Sequence, residues 1–498
     1  MGFNSIAFLL FLPIVFLLYW LLFGKRLKWQ NGFVVVSSYI FYGWWDIKFL
    51  LLISATTFFS YLSGLAIEQW NPPTNSSSVN NNETDFRAPR KPWKARTALW
   101  ANIILNVGIL CLFKYYNFFV HNLQALLAPM GLNPDSITLN LILPVGISFY
   151  TFQALSYSID VYRHKIKATR DIIAFFAFIS FFPQLVAGPI ERATNLLPQF
   201  LKSRRFSYPE AVDGCRQILW GFFKKVVLAD NCAVFANQAF ADPDSMGGLN
   251  LWIGALCFSF QIYGDFSGYS DIAIGVSKLF GINLMRNFNN PYFSRDIAEF
   301  WRRWHISLTT WFRDYIYIPL GGSRVTKHKT LRNTFIIFLV SGLWHGAEWT
   351  FVAWGAYHAV LFTPLIAMGK NRKYLDNPGQ GRSLPTMRES LYMGITFLLV
   401  CAGWVIFRAD NIGHAWNYLI RMLTNFHYGG GRPELSVFLW MAITIAVEWI
   451  QRDRPHPFAI TGNGILRYAS VRWILYLTIV MLCYCCKTVQ SNFIYFQF

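Results

Sequence analysis

Residues 289–324 read NNPYFSRDIAEFWRRWHISLTTWFRDYIYIPLGGSR, and residues 341–349, after a basic loop and an apolar run, read SGLWHGAEW. Each piece places a histidine directly after a tryptophan, at His305 and at His345. The flanking chain is largely apolar and carries few polar side chains, so an ionisable ring at these positions is costly to bury. We therefore take residues 289–358 as the candidate functional core of the chain.

The first piece has the pattern of a single amphipathic helix. Asp296 with Glu299 three residues later resembles a capping box, and aromatic side chains then recur at helical spacing with His305 on their face. Arg302 and Arg303 lie on the opposite face. Such a helix is too charged to span a bilayer and too aromatic for water, so we expect it in the interface with both arginines reaching the headgroups.

The second piece predicts a helical hairpin that breaks after His345. Residues 332–345 are nearly all apolar, but this length of helix covers only about 20 Å of a hydrocarbon core roughly 30 Å thick. Gly346 and Glu348 suit an elbow, and residues 349–368 predict a second apolar helix. We expect His345 inside the membrane, where a titratable ring is tolerated within protein or beside a water-filled cavity.

The composition predicts an all-α polytopic membrane protein. Of 498 residues, 54% are hydrophobic and only 14% are charged. Apolar runs recur from end to end, so we expect one membrane domain over residues 1–498 with about 10–12 spans, re-entrant segments and interfacial helices. The net charge of +19 comes from basic residues in short loops, which is the positive-inside pattern and argues against a nucleic-acid partner.

Several segments have specific predictions. Residues 6–23 predict a retained span rather than a cleaved signal, and residues 71–96 predict a disordered cytoplasmic loop whose two glycosylation sequons are chance matches. Residues 172–190, which lead into GPIER at residues 188–192, predict a re-entrant piece, because both flanks are basic. Residues 411–426 predict an amphipathic helix on the outer face.

The eight cysteines show no paired zinc spacing, and we expect neither a metal nor a bound cofactor.

The histidines differ in what they predict. His345 is either a buried imidazole bonded to a neighbouring helix or a general base, and its place at a helix break favours the base. His305 is equally compatible with catalysis and with anchoring at the interface. His358, on the helix after the elbow, has the pattern of a structural residue.

Three acidic residues occur in apolar surroundings. Asp265 and Asp271, within GDFSGYSD, predict hydrogen bonds between helices or ion pairs with Arg302 or Arg303 more than direct catalysis. Glu191 either lines a re-entrant cavity or ends a loop. No phosphate-binding glycine loop, GxSxG or HExxH motif occurs, so the sequence does not support hydrolysis by those routes.

Blocks in a constant order along nearly the whole chain resemble the membrane-bound O-acyltransferase (MBOAT) superfamily. They are SYIFYGWWD, LPVGISFYTFQALSYSIDVYR, FFPQLVAGPIER, YGDFSGYSDIAIG, NPYFSRDIAEFWRRWHISL, SGLWHGAEWTFVAWGAYHA and the closing FIYFQF. Within the superfamily, the chain looks like the bacterial branch of alginate O-acetyltransferase and the teichoic-acid D-alanyl transfer protein. The resemblance implies a ring of helices around a central tunnel.

The resemblance also implies an activity and its residues. The histidine of the LWHGA-like block, here His345, is the family's essential residue for acyl transfer, and His305 is the second family histidine. The donor is a cytoplasmic acyl thioester such as acetyl-CoA or an acylated carrier, and the acceptor is an exported polysaccharide or a periplasmic, esterase-like acetyltransferase partner. This places the chain in the bacterial cytoplasmic (inner) membrane.

Supporting or tunnel-lining roles are expected for a further set of side chains: Trp344, Trp304, Arg302, Arg303, Asp271, Asp265, Asn290, Glu191 and His358. The arginines would meet donor phosphates or an acidic carrier, unless they only snorkel to the interface. Two alternatives to O-acetyl transfer stay open at this point. One is D-alanyl transfer from a carrier protein to teichoic acid, and the other is a transporter whose histidines relay protons.

Overall fold

The structure, a computed structural model, describes residues 1–72, 92–131, 139, 141–460, 465–486 and 493–494. All regular secondary structure in these ranges is helical, which confirms the all-α prediction. Most of the predicted cytoplasmic loop and its sequons, and much of the FIYFQF block, lie outside the described residues.

The chain forms two compact units, of which the first comprises Met1–Val186, Ile190–Ser207 and Phe280–Leu284. A buried polar seam joins three of its helices, because the Asn102 side chain donates to Ser158 Oγ at 2.8 Å and accepts from Ser60 Oγ at 3.0 Å. The unit contains nine α-helices among the described residues: α1 (Ile6–Leu21), α2 (Leu27–Gly43), α3 (Lys48–Trp70), α4 (Trp93–Leu110), α5 (Tyr116–Leu127), α6 (Ile147–Tyr162), α7 (Ile172–Ser180), α8 (Phe182–Leu185) and α9 (Ala193–Phe200).

The second unit comprises Ala187–Pro189, Tyr208–Leu279 and Met285–Phe498. Its described α-helices are α10 (Tyr208–Phe222), α11 (Asp230–Ala241), α12 (Gly248–Leu279), α13 (Ile297–Arg303), α14 (Ile306–Phe312), α15 (Lys327–His345), α16 (Trp349–Ala367), α17 (Met387–Arg408), α18 (Ile412–Thr424), α19 (Leu435–Ile450) and α20 (Ala469–Cys485). The 32-residue α12 is buried along most of its length and packs against α10, α11, α17 and α18. It forms the centre of this unit.

Helices α15 and α16 form the predicted hairpin around the elbow at residues 346–348. Two glycines allow their backbones to approach closely. A Cβ added at Gly342 would collide with the carbonyl oxygen of Phe351, and one added at Gly355 would collide with that of Phe338. Because only hydrogen occupies these positions, the two helices pack tightly enough to fix the end of α15, where His345 lies.

Four helical segments among the described residues are long and apolar enough to cross a bilayer: Lys48–Trp70, Trp93–Met130, Trp349–Ala367 and Met387–Arg408. Three shorter apolar helices accompany them: Ile6–Leu21, Leu435–Ile450 and Ala469–Cys485. These segments fit a multi-pass membrane protein, while the total of about 10–12 spans stays a prediction.

Two further segments had specific predictions from the sequence. The predicted amphipathic helix is present as α18, and the side chain of Asn411 caps it by accepting from the His414 backbone N–H at 2.9 Å. The predicted re-entrant piece divides at Phe181 into the short helices α7 and α8. Its topology in the membrane stays a prediction.

Candidate active site

The predicted single helix over the first core piece is wrong, because the chain breaks at Trp304 and His305. Asp296 caps α13 as expected, with its carboxylate accepting from the Glu299 backbone N–H at 2.7 Å. The helix ends at Arg303, and His305 adopts a left-handed backbone conformation with φ 44° and ψ 54°. Histidine enters this region more readily than most residues, although such geometry persists only where the surroundings enforce it.

Residues 287–289, which follow α12, hold His305 in this conformation. The Ile306 backbone N–H donates to the carbonyl of Asn287 at 2.8 Å, and the Asn289 N–H donates to the carbonyl of Arg303 at 2.9 Å. The Asn287 side chain also reaches the break, with Oδ1 lying 3.0 Å from His305 Nδ1. Periodicity alone did not reveal the break, because these contacts come from residues outside the helical pattern.

His305 is buried, with 1% of its surface exposed. The Phe266 ring meets the imidazole edge to face at 4.6 Å between centroids, and the Trp344 ring lies 5.9 Å away. This burial agrees with the predicted place of His305 on the aromatic face.

His345 is the last residue of α15, which confirms the predicted helix break. It is 7% exposed, and its imidazole meets the rings of Trp354 and Phe407 edge to face at 5.2 and 5.3 Å. The adjacent Trp344 ring lies 4.9 Å from it. The structure thus brings the two predicted catalytic histidines together around a single indole, that of Trp344.

Two further predicted residues belong to the aromatic packing behind this pair. His358 is fully buried, and its ring lies 5.0 Å from those of both Trp301 and Trp354. Trp304 is also buried, with the Trp404 ring 4.9 Å away. Both residues fill space within the core of this unit, which agrees with the structural role expected for His358.

The predicted position of Arg303 is wrong, because this side chain is buried in an ion pair and does not reach headgroups. Its Nε donates to Glu299 Oε1 at 3.0 Å. Arg295 holds the same carboxylate at 3.0 Å, so Glu299 lies between two guanidinium groups. Arg302 is half-buried and donates to the carbonyls of Asn371 and Tyr374 at 2.8 and 2.7 Å. The arginines therefore fasten α13 to the loop that follows α16.

Asp265 and Asp271 do form ion pairs between helices, but the predicted arginine partners are wrong. Asp265 binds Lys225 at 2.6 Å, and Asp271 binds Lys224 at 2.6 Å. The two lysines lie in a π-helical turn, Phe223–Ala229, between α10 and α11. Sequence reasoning missed them, although two consecutive lysines within an apolar run are themselves a signal of a buried ion pair.

A small polar cavity of about 30 Å³ lies within the second unit, next to Asn287. Predicted residues Asp271 and Asn290 line it, together with residues that the sequence did not single out: Lys224, Arg286 and Glu448. A cavity of this size has room for water. The cavity lining includes polar side chains of α12 and also Arg286, Asn287 and Asn290, which belong to the segment that contacts His305.

Glu191 belongs to the first unit and is fully buried there, where its carboxylate accepts from the Asn195 side chain at 2.7 Å. Its hydrogen-bonded burial shortly before α9 fits the loop-end alternative.

Comparison with known proteins identifies the family. The model of the MBOAT, membrane-bound O-acyltransferase family, matches residues 34–375. The probable alginate O-acetylase AlgI of Pseudomonas aeruginosa is 42% identical over 84% of this chain and 74% of its own length.

The peptidoglycan O-acetyltransferase of Helicobacter pylori is 36% identical over 84% of this chain and 79% of its own length. The teichoic acid D-alanyltransferase of Bacillus subtilis is 32% identical over 55% of this chain and 71% of its own length. The matched residues include both histidines, the break at His305 and the elbow after His345, and on this basis the chain belongs to the membrane-bound O-acyltransferase family.

Proposed function

We propose that this protein transfers an acetyl group from a cytoplasmic thioester to a hydroxyl of an exported cell-envelope polysaccharide, or to a periplasmic partner that completes the transfer. Two relatives named as O-acetyl-transferring proteins match 84% of the chain, whereas the D-alanyltransferase matches 55%. This difference favours acetyl over D-alanyl transfer. Membership of an acyltransferase family disfavours the transporter alternative.

The observation that carries the proposal is the contact of both imidazoles with Trp344. In the proposed reaction, His345 takes the proton of the incoming hydroxyl while the hydroxyl oxygen attacks the thioester carbonyl. The tetrahedral intermediate then collapses and its C–S bond breaks. The leaving thiolate recovers the proton from the His345 imidazolium, which returns the histidine to its neutral form.

The developing oxyanion needs a donor in a site from which water is excluded. Three groups near His345 are candidates: the His305 ring, the Trp344 indole N–H and the backbone amide near Gly346. The aromatic walls formed by Trp354 and Phe407 provide the low-dielectric surroundings in which such a donor is most effective.

The donor in this proposal is acetyl-CoA or another acyl thioester that enters from the cytoplasm. The proposed location is the bacterial inner membrane, because the acceptor polymer is assembled on the side opposite the donor. The lipid bilayer and the periplasmic, esterase-like acetyltransferase are the expected partners.

Mass spectrometry of cell-envelope glycans from strains with and without the gene tests the proposal. Loss of an acetyl ester in the deletion strain, restored by the wild-type gene, is the expected result. Loss of an alanyl ester instead would support the teichoic-acid alternative, and unchanged ester content would refute acyl transfer to the envelope.

A further inference from the structure

Asn287 makes several polar contacts with the break at His305, and no sequence pattern predicted them. The residue is fully buried. Its Oδ1 lies 3.0 Å from His305 Nδ1, accepts from Ser307 Oγ at 2.9 Å, and accepts from the Ser307 backbone N–H at 3.3 Å. Its Nδ2 donates to Ser270 Oγ of α12 at 3.3 Å.

These contacts determine the orientation of the Asn287 amide. A backbone N–H only donates, so the atom that faces Ser307 N must be the amide oxygen rather than the amide nitrogen. An amide oxygen only accepts. His305 Nδ1 must therefore carry the hydrogen when the imidazole is neutral, and the lone pair then resides on Nε2.

We propose that Asn287 is a positioning residue that fixes this tautomer, so that His305 takes part in acyl transfer as a hydrogen-bond acceptor through Nε2, while His345 takes the proton. The inference rests on the proposed function and refines it. A neutral ring with its hydrogen on Nδ1 has no Nε2 hydrogen to offer an oxyanion. Among the three candidate oxyanion donors, the Trp344 indole N–H and the amide near Gly346 remain.

The backbone conformation of His305 supports the same role. The left-handed geometry at His305 turns α14 away from the axis of α13, and the Asn287 carbonyl receives the first N–H after the turn. Asn287 thus holds the break through its main chain and the ring through its side chain. A residue that only filled space would need neither hydrogen bond.

The direct test is ¹⁵N nuclear magnetic resonance of histidine-labelled protein in nanodiscs, with the His305 signals assigned by their loss in the H305Q variant. The expected spectrum of the neutral ring has a protonated Nδ1 and an unprotonated Nε2. In Asn287→Leu, which has a similar volume and no acceptor, the preference for this tautomer is expected to disappear. Wild-type protein with the hydrogen on Nε2 would overturn the inference.

Kinetics supply a second readout with purified protein and a thioester donor. Asn287→Leu is expected to lower kcat on the order of 100-fold, the cost of a misplaced group at the reacting centre, with little change in KM. Unchanged kcat would also overturn the inference. Asn102→Ala removes a buried asparagine of the first unit with comparable hydrogen bonds, and as a matched control it is expected to lower stability while leaving the tautomer intact.

Asn287→Asp provides the conservative rescue. The carboxylate still accepts from Nδ1–H, so kcat is expected to recover to within about tenfold of wild type. The described groups that contact His305 include the uncharged rings of Phe266, Phe288 and Trp344 and the hydroxyl of Ser307. The added negative charge stabilises the imidazolium, so the acidic limb of the kcat–pH profile should move to higher pH.

A limb that stays in place in the N287D variant would contradict the inference. The spectrum is recorded without substrate. It can therefore show the wrong tautomer even if the protein does acetylate the envelope. Conversely, an unchanged ester content in the glycan experiment would leave the tautomer measurement unaffected.

Discussion

The indole of Trp344 contacts the imidazole of His305, with 5.9 Å between ring centroids, and also that of the adjacent His345, at 4.9 Å. Trp344→Ala should lower kcat about 100-fold, because a loss of spacing of around 1 Å at a reacting centre costs that much. Trp344→Phe keeps an aromatic spacer and should retain at least about a tenth of kcat. Turnover in proteoliposomes measures both.

Trp349→Ala is the control, since this neighbouring tryptophan is 55% exposed. Its turnover should stay within a few-fold of wild type. Equal activities for the alanine and phenylalanine variants at Trp344 would show that the indole does not set the spacing.

The close packing of the hairpin leads to a prediction at Gly342. A methyl group there would collide with the Phe351 carbonyl, so Gly342→Ala should separate α15 from α16, displace His345 and lower both stability and turnover. Gly394→Ala is the matched control in α17, because a Cβ added there meets nothing within 4 Å. The control should be neutral or slightly stabilising, because alanine favours helix. Thermal unfolding in detergent and turnover distinguish the two, and a neutral Gly342→Ala would exclude tight packing.

The two buried lysines should differ in their contribution to stability. Lys225 is 0% exposed and neutralises both Asp265 and Asp230, at 2.6 and 2.9 Å. Lys225→Met would leave two buried carboxylates without their cation, and we expect a loss of about 3–5 kcal/mol in the free energy of unfolding.

Lys224→Met should cost less. Its partner Asp271 lines the polar cavity and keeps a hydrogen bond from Gln217 at 2.8 Å. Unfolding by sodium dodecyl sulfate in micelles ranks the two variants. The reverse ranking would show that the Lys225 pair is not the more important one.

The loop after α16 should loosen in acid. Arg295 donates to Asp376 Oδ1 at 3.1 Å, and this hydrogen bond lowers the pKa of the Asp376 carboxyl below its ordinary value. A lowered pKa means that the contact stabilises the fold fully above the unfolded pKa of about 3.9, and that this stabilisation is lost as the pH falls through the folded value.

A spin label at the exposed Gln380 reports loop mobility. It should be restrained near neutral pH and become mobile below about pH 4. In Asp376→Asn the label should show the same mobility across this range. If the transition persists in the asparagine variant, a group other than Asp376 causes it.

Local sequence signals predicted much of the fold. The apolar runs gave the helices, the Asp296 cap located the start of α13, and Gly346 marked the elbow. The break at His305 was not predictable from periodicity, because it depends on main-chain hydrogen bonds with Asn287, whose carbonyl accepts, and Asn289, whose N–H donates. The aromatic side chains keep helical spacing on both sides of His305, so the sequence pattern is that of one continuous helix.

The partners of the charged side chains were harder to predict than their burial. Asp265 and Asp271 were recognised as acidic residues in an apolar helix, but the ion-pair partners predicted for them were Arg302 and Arg303. Lys224 and Lys225 reach them because α10, the π-helical turn and α12 pack side by side. Such pairings depend on helix packing, which the spacing of residues in one helix does not encode.

Acyl transfer by wild-type and His345→Ala protein, with radiolabelled acetyl-CoA in proteoliposomes and an isolated envelope polysaccharide as acceptor, tests the central claim most directly. His328→Ala, an exposed histidine at the other end of α15, is the matched control. We predict that His345→Ala lowers transfer by about 10²- to 10⁴-fold, the range of a lost general base, while His328→Ala remains active. Normal transfer by a folded His345→Ala protein would contradict the assignment of this histidine as the base.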